Sequence, residues 1–223
     1  MSNQTKEGSA SESFETIRQS HQLSGDSRKL AGYYRGWAKS YNDDVHNERY
    51  CAPDIIADLF VGLTSQYFAR TPENTTTLDA GCGTGLSGLA LAQRGVAAID
   101  GFDLSHEMVA EAKKTQVYRS LSGGVDMSRS LDGFRDDHYE ATVCCGVFTV
   151  GHVAPESLGE LLRVTKPGGM VLVSTRKRYA EGSGFDEYIS ELVCRRRMEI
   201  LHCLLNRPYI ASESAHYWAF GVL

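Results

Sequence analysis

The chain has 223 residues, 42% of them hydrophobic and 23% charged, proportions that exclude a collagen-like, disordered or disulfide-scaffold protein. Lys and Arg total 23 against 28 Asp and Glu, a net charge of −5, so there is no long-range pull toward nucleic acid or an anionic membrane surface. No stretch approaches the ~20 apolar residues that span a bilayer. The N-terminal segment lacks the apolar core of a secretory leader. None of the six cysteines (Cys51, Cys82, Cys144, Cys145, Cys194, Cys203) forms a C-x-x-C pair or sits beside a histidine cluster. Reduced thiols in a cytoplasmic protein without a metal are expected.

Residues 1–28 are polar and Ser-rich, which predicts a flexible N-terminal segment ahead of a single domain over 29–223. An aromatic run follows, and the spacing of Tyr34, Trp37 and Tyr41 places them on one helical face. A helix is expected from Pro53 to Ala69, with Ile55, Ile56, Leu59, Phe60 and Leu63 inward. Alternation then begins. Thr75–Asp79 reads as a strand, Leu86–Arg94 as a helix closed by Gly95, and Val96–Phe102 as a second strand. Ser105 is placed to cap a helix running to Lys114. A weak strand spans Tyr118–Val125 and a strong one Tyr139–Val147. A helix over Glu156–Thr165 is followed by Lys166-Pro167-Gly168-Gly169, which turns the chain into a strand over Met170–Thr175. A long helix is expected from Asp186 to Leu205, then short strands at Tyr209–Ala211 and His216–Val222. Strands separated by helical patterns imply right-handed βαβ units, hence an α/β fold with a parallel sheet covered on both faces.

In such sheets ligands bind beyond the carboxyl ends of the strands, where strand order reverses. The segment Leu78-Asp79-Ala80-Gly81-Cys82-Gly83-Thr84-Gly85 is placed there, between a strand and a helix. Asp103 ends the next strand, where a carboxylate can accept both ribose hydroxyl protons. Gly83 to Gly88 also fits G-x-G-x-x-G, the dinucleotide fingerprint. Asp79 argues the other way, because it would set a carboxylate beside a pyrophosphate. A ligand carrying an ammonium and a sulfonium, such as S-adenosylmethionine (SAM), suits it better.

The segments 78–85 (LDAGCGTG), 101–108 (GFDLSHEM) and 161–175 (LLRVTKPGGMVLVST) resemble the glycine motif, the acidic motif after strand 2 and the strand-5 entry of class I SAM-dependent methyltransferases. Segments 37–45 (WAKSYNDDV) and 145–153 (CGVFTVGHV) are most similar to the small methyltransferase-like family of the Williams–Beuren region and its bacterial relatives. The resemblance implies a Rossmann-like, doubly wound, mostly parallel seven-stranded sheet with SAM as cofactor. It also implies site roles. Asp79 and the backbone of Gly81, Cys82 and Gly83 would hold the methionine end, and Asp103 the ribose. Leu104, Met108, Asp126 and Met127 would surround the adenine, and Val147 and Phe148 would floor the site. The family's Phe-Asp opening of strand 4 is Tyr139-Glu140 here.

In-line methyl transfer mainly needs proximity and exclusion of water. Where a base is needed, His152, just past strand 4, is the candidate; otherwise it is a hydrogen-bonding residue of its loop. Tyr34 and Tyr41 could close over the sulfonium with Trp37, or the three rings could simply pack on the sheet. His46 and Tyr50 are weaker lid candidates. Cys82 reads as a small apolar filler. The cluster Arg195-Arg196-Arg197, with Arg176, Lys177 and Arg178, is either a solvated face or an attraction for an anionic substrate. Asn206-Arg207-Pro208-Tyr209 looks like an amino-group methyltransferase motif but lies at the wrong place in the chain. Short flanking segments favour a compact acceptor, so the expected activity is transfer from SAM to the O or N of a small molecule, without a nucleic-acid or membrane partner. Two alternatives stay open: an NAD-dependent oxidoreductase and a SAM-binding protein without catalysis.

Overall fold

The computed structural model describes residues 13–17, 19, 23, 25–68, 71–211 and 213–223. Of the N-terminal segment expected to be flexible, residues 1–12, 18, 20–22 and 24 lie outside that set. Residues 13–17 form a helical turn in which Ser13 and Ile17 are buried. Helix α1 (Ser27–Trp37) begins where the Asp26 carboxylate accepts from the N–H groups of Arg28 and Lys29. The chain turns at 38–40 into α2 (Tyr41–Asn47). Tyr41 is therefore not on the helix of Tyr34 and Trp37, yet its ring lies 4.7 Å from that of Trp37. Helix α3 (Ala52–Tyr67) takes Pro53 in its first turn, where the missing N–H costs no helical hydrogen bond.

Five strands follow, with a helix between each successive pair except β3 and β4: β1 (Thr76–Ala80), α4 (Leu86–Gln93), β2 (Ala98–Asp103), α5 (His106–Ala112), β3 (Tyr118–Gly123), β4 (Tyr139–Phe148), α6 (Ser157–Val164) and β5 (Thr165–Arg176). Helices α7 (Lys177–Gly182) and α8 (Phe185–Cys194) precede the hairpin of β6 (Met198–Ile210) and β7 (Glu213–Val222). The sheet order is β3-β2-β1-β4-β5-β7-β6, parallel except where β7 joins β5 and β6. This is the expected seven-stranded, doubly wound, Rossmann-like sheet. Successive β5 side chains alternate between two cores. Met170 and Leu172 face Ile56, Phe60 and Leu91, whereas Val171 and Val173 face Leu158, Leu161 and Phe185. Each large apolar side chain so buried contributes about 1.5–3 kcal/mol. The topology reverses between β1 and β4, and the carboxyl ends of those strands open onto the candidate site.

Two expectations need correction. The helix foreseen over 186–205 ends at Cys194, and Met198–Ile210 is an edge strand. Arg196 adopts φ +54, which a continuing helix does not allow. Val193 and Ile200, apolar positions at the spacing of that helix, are exposed. The Lys166–Gly169 turn is a bulge within β5, not its boundary. Thr165 pairs with Tyr139 and Met170 with Ala141, so four residues stand opposite Glu140 alone.

Candidate active site

A cleft opens at the switch point of the sheet, the usual place for a small-molecule site in an α/β fold. Its walls bring together most of the residues singled out from the sequence. Tyr34, Tyr41, Gly81, Gly83, Asp103, Leu104, Met108, Asp126, Met127, Val147 and His152 all line it. Joining them are Leu30, Phe102, Cys145 and Gly146.

The glycine loop is held against β2. The N–H groups of Gly81 and Cys82 both donate to the Phe102 carbonyl, at 2.9 and 2.8 Å. The Gly83 N–H donates to Asp103 Oδ2 at 2.9 Å. These three amides are thus spent within the fold. Of the Gly81 and Gly83 backbone expected at the methionine end, the N–H groups are bonded within the fold. What these glycines offer is a bare Cα. At Gly81, φ is +72 and a Cβ would stand 2.4 Å from Val147 Cγ2, so Val147 can close on the loop only because that position is glycine.

Asp103 Oδ1 accepts from the Ser105 N–H at 2.8 Å, so both carboxylate oxygens are held by backbone donors while keeping lone-pair capacity for a ligand hydroxyl. Burial raises its pKa despite those bonds. Asp126 accepts from the Ser128 N–H and hydroxyl at 2.9 and 2.6 Å. Burial pulls its pKa upward, but the bonds from Ser128 and Ser27 and the Arg129 charge outweigh it and hold it below the ordinary value. The charged groups on the wall are these two carboxylates, an environment that favours a cationic ligand.

Asp79 is fully buried and stands behind the wall rather than on it. Tyr118 donates to its Oδ2 at 2.6 Å, while its Oδ1 has no partner. Burial, the main cause, lifts its pKa to about 7. One further placement differs from expectation. The Phe148 side chain turns into the core beside Phe185, 5.4 Å between ring centres, so Val147 alone of the pair faces the cleft. The Cys82 thiol packs against Val109 and Ala112 as a filler, with burial pushing its pKa far up.

On the opposite wall the Tyr34 hydroxyl lies 2.7 Å from His152 Nε2. His152 Nδ1 lies 3.2 Å from the Val150 carbonyl. An N–H at Nδ1 satisfies that carbonyl and leaves Nε2 as acceptor for the Tyr34 O–H. Burial holds the His152 pKa down to about 4, so the imidazole is neutral at physiological pH. The N-terminal elements are tied over the site. The Gly25 N–H donates to the Gly151 carbonyl at 2.8 Å, and Thr84 donates to Asn42 Oδ1 at 2.6 Å. Tyr50, named from the sequence as a weaker lid candidate, and Arg176, named in the basic cluster, stand around the site, as do Tyr118 and Tyr209, which sequence reasoning did not place there.

Residues 78–173 match the family model described as a methyltransferase domain. Methyltransferase-like protein 27 of Homo sapiens is 32% identical over 176 residues, covering 78% of this chain and 68% of that protein. The chain belongs to the class I SAM-dependent methyltransferases. It spans 37–56% of the length of the other curated methyltransferases it matches. A chain of the Haloferax volcanii complex between the Trm112 methyltransferase activator and a methyltransferase superposes with TM-score 0.59 at 18% identity, covering 85% of this chain and 97% of that one. Geranyl diphosphate C-methyltransferase from Streptomyces coelicolor, solved with S-adenosyl-L-homocysteine (SAH), superposes with TM-score 0.55 at 16% identity, covering 82% and 84%. These likenesses show the fold. The cofactor of this methyltransferase is SAM.

The residues fit that cofactor. The buried, unpartnered Asp79 Oδ1 lacks a donor that an ammonium group would supply. Asp103 keeps acceptor capacity for a ribose, and the cleft walls are carboxylate-bearing and otherwise largely apolar. Among the described residues no group of His, Cys, Asp and Glu could hold a metal ion, and no helix is long and apolar enough to cross a membrane.

Proposed function

We propose that this methyltransferase moves a methyl group from SAM to the oxygen or nitrogen of a small-molecule acceptor in the cytoplasm. The observation that carries the reading is the Tyr34–His152 pair. It places a neutral proton acceptor and a phenolic hydroxyl in the same cleft as the glycine loop and Asp103. The six free thiols support a reducing compartment, and the acidic balance of the chain supports a small acceptor over a nucleic acid.

Bound SAM supplies an electrophilic methyl on a sulfonium. The bare backbone of Gly81 and Gly83, with Asp79 behind it, would receive its amino-acid end, and Asp103 would accept from the ribose hydroxyls. Leu104, Met108 and Met127 take the adenine face, with Asp126 as acceptor for its amino group. Val147 supports the reacting end from below. Tyr34 and Tyr41 close the cleft from above and keep water out, which proximity catalysis requires. The acceptor proton passes toward the Tyr34 oxygen as the Tyr34 proton moves to His152 Nε2. His152 is neutral above its low pKa and so stays available as a base.

The test is a radiolabelled-SAM screen of phenols, carboxylic acids and amines with the wild type, Tyr34→Phe and His152→Ala. A labelled small product with the wild type, lowered about 100-fold in kcat by either substitution at unchanged SAH affinity, is the expected result. Full activity in both variants would remove the pair from the chemistry.

A further inference from the structure

Residues 124–138 join β3 to β4 without a helix, unlike the connections on either side. They carry Asp126 and Met127 onto the cleft wall and continue along an adjoining groove as far as Phe134. A connection this long with no element of its own keeps one conformation only if other parts of the fold tie it down. Upstream, the Val125 N–H donates to the Asp103 carbonyl at 3.1 Å. Downstream, Leu131 is 2% exposed, and the Phe134 ring lies 5.0 Å from that of Phe102 on the cleft wall.

The polar part of the downstream tie comes from α6. Arg163 Nε donates to Glu160 Oε1 at 3.0 Å. One terminal nitrogen donates to Glu160 Oε2 at 2.8 Å and to the Leu131 carbonyl at 3.0 Å. The other donates to the Phe134 carbonyl at 3.0 Å and to the Asp136 carboxylate. These five bonds match the five N–H groups of a guanidinium, set in a rigid fork that an ammonium lacks. Glu160 Oε2 in turn accepts from the Leu131 N–H at 2.7 Å, so the pair holds both backbone groups of Leu131. The Arg163 carbonyl accepts from the Asp137 N–H at 3.0 Å.

We propose that Arg163, acting through Glu160 and this loop, is the positioning residue that sets the preference of the site for adenine. It touches neither cofactor nor acceptor. Asp126 and Met127 hang between two anchors, the Val125–Asp103 bond on one side and the Arg163–Glu160 clamp on the other. With the clamp released, the turn that Ser128 makes on Asp126 persists, but its place against the cleft is no longer fixed. The consequence is selective. The ribose contact belongs to Asp103, whose bonds to Gly83 and Ser105 lie outside the loop, so only base recognition is lost. This assignment rests on the reading of Asp126 as acceptor for the adenine amino group.

The test is calorimetric titration of the wild type, Arg163→Lys and Glu160→Gln with SAH and with S-inosyl-L-homocysteine, in which an oxygen replaces the adenine amino group. The wild type is expected to bind SAH about tenfold or more tightly than the inosyl ligand. In Arg163→Lys the charge toward Glu160 remains, but an ammonium cannot span the carbonyls of Leu131 and Phe134. The ratio should fall toward unity there, through weaker SAH binding, and Glu160→Gln should act in the same direction. A merely structural loss would weaken both ligands alike and leave the ratio intact. Hydrogen exchange of the unliganded protein gives a second readout. The Leu131 and Asp137 amides should exchange about tenfold faster in Arg163→Lys, while those of β2 keep their protection. A preference that survives in both variants, or exchange equal to wild type, overturns the proposal. So does a wild type indifferent to the two ligands. Failure of the wild type to bind SAH at all would strike the methyl-transfer reading and the proposal with it.

Discussion

The Tyr118 hydroxyl, on β3, donates to Asp79 Oδ2 on β1 across a distance of 2.6 Å. The contact crosses β2 and passes over Gly88, where a Cβ would stand 2.2 Å from the Tyr118 oxygen. The third glycine of the G-x-G-x-x-G pattern therefore makes room for a tyrosine that holds one oxygen of Asp79, the other having no partner. The pattern shared with dinucleotide-binding proteins serves a different packing purpose here.

Removing that hydroxyl leaves a buried carboxylate less well satisfied and weakens whatever Asp79 holds. Tyr118→Phe is expected to lower SAH affinity about tenfold, equivalent to ~1.4 kcal/mol, near the low end for a hydrogen bond to a charged group. Gly88→Ala should act in the same direction by displacing the ring. Calorimetry on both folded variants checks this, and affinity equal to wild type in Tyr118→Phe would detach the tyrosine from the cofactor.

Asp79 also sets a pH dependence. Its pKa is about 7 in the folded chain against an ordinary value of 3.8. Between those values the folded state binds more protons than the unfolded state, so its contribution to stability is full at low pH and is lost as pH rises toward 7. The wild type should lose Tm on going from pH 5 to pH 7.5 more steeply than Asp79→Asn. If Asp79 ionises against the ammonium of SAH, binding near pH 6.5 should release protons. The calorimetric enthalpy would then depend on the ionisation enthalpy of the buffer. A buffer-independent enthalpy would mean that Asp79 does not change its protonation on binding.

Gly81→Ala forces a Cβ to 2.4 Å from Val147 Cγ2 at a φ of +72. A cost of about 1–3 kcal/mol in stability is expected, with a loss of SAH affinity greater than that of Tyr118→Phe. Thermal denaturation reads the first effect and titration the second. Adding Val147→Ala should recover part of the stability, because it removes the clashing methyl while leaving the backbone strain.

His152, with its pKa held down to about 4, predicts an activity profile whose acid limb lies below pH 5. A base with an ordinary imidazole pKa would instead cut activity near pH 6.5. The kcat profile of the wild type between pH 4.5 and 8 distinguishes the two.

How much of this was legible in the sequence follows from the range of the interactions involved. β1, β2, β4 and β5 are runs of apolar and β-branched residues punctuated by glycine, so local chemistry declares them. So do the Ser105 cap, whose hydroxyl accepts from the Met108 N–H, and Asp103 at the end of β2. Strand β6 was hidden, because Ile189, Leu192, Val193, Ile200 and Leu204 satisfy helical spacing. Only Arg196 at positive φ and the pairing with β7 impose a strand. The grouping of Tyr50, Arg176 and Tyr209 was hidden for a related reason: they come from three distant segments, and Tyr209 ends a strand whose first part local pattern assigned to a helix. Phe148 was misplaced by a single step of strand alternation at the end of β4, where the pairing with β5 shifts register between Cys144 and Phe148.

The central claim is that the cleft closed by the glycine loop holds SAM through Asp103. Titration of the wild type and Asp103→Ala with SAH, with NADH in parallel, tests it most directly. The account predicts SAH binding to the wild type, none of NADH, and a loss of about 1.5–3 kcal/mol in the folded variant, or roughly ten- to 150-fold in affinity. Unchanged SAH affinity in Asp103→Ala, or binding of NADH in place of SAH, would contradict it.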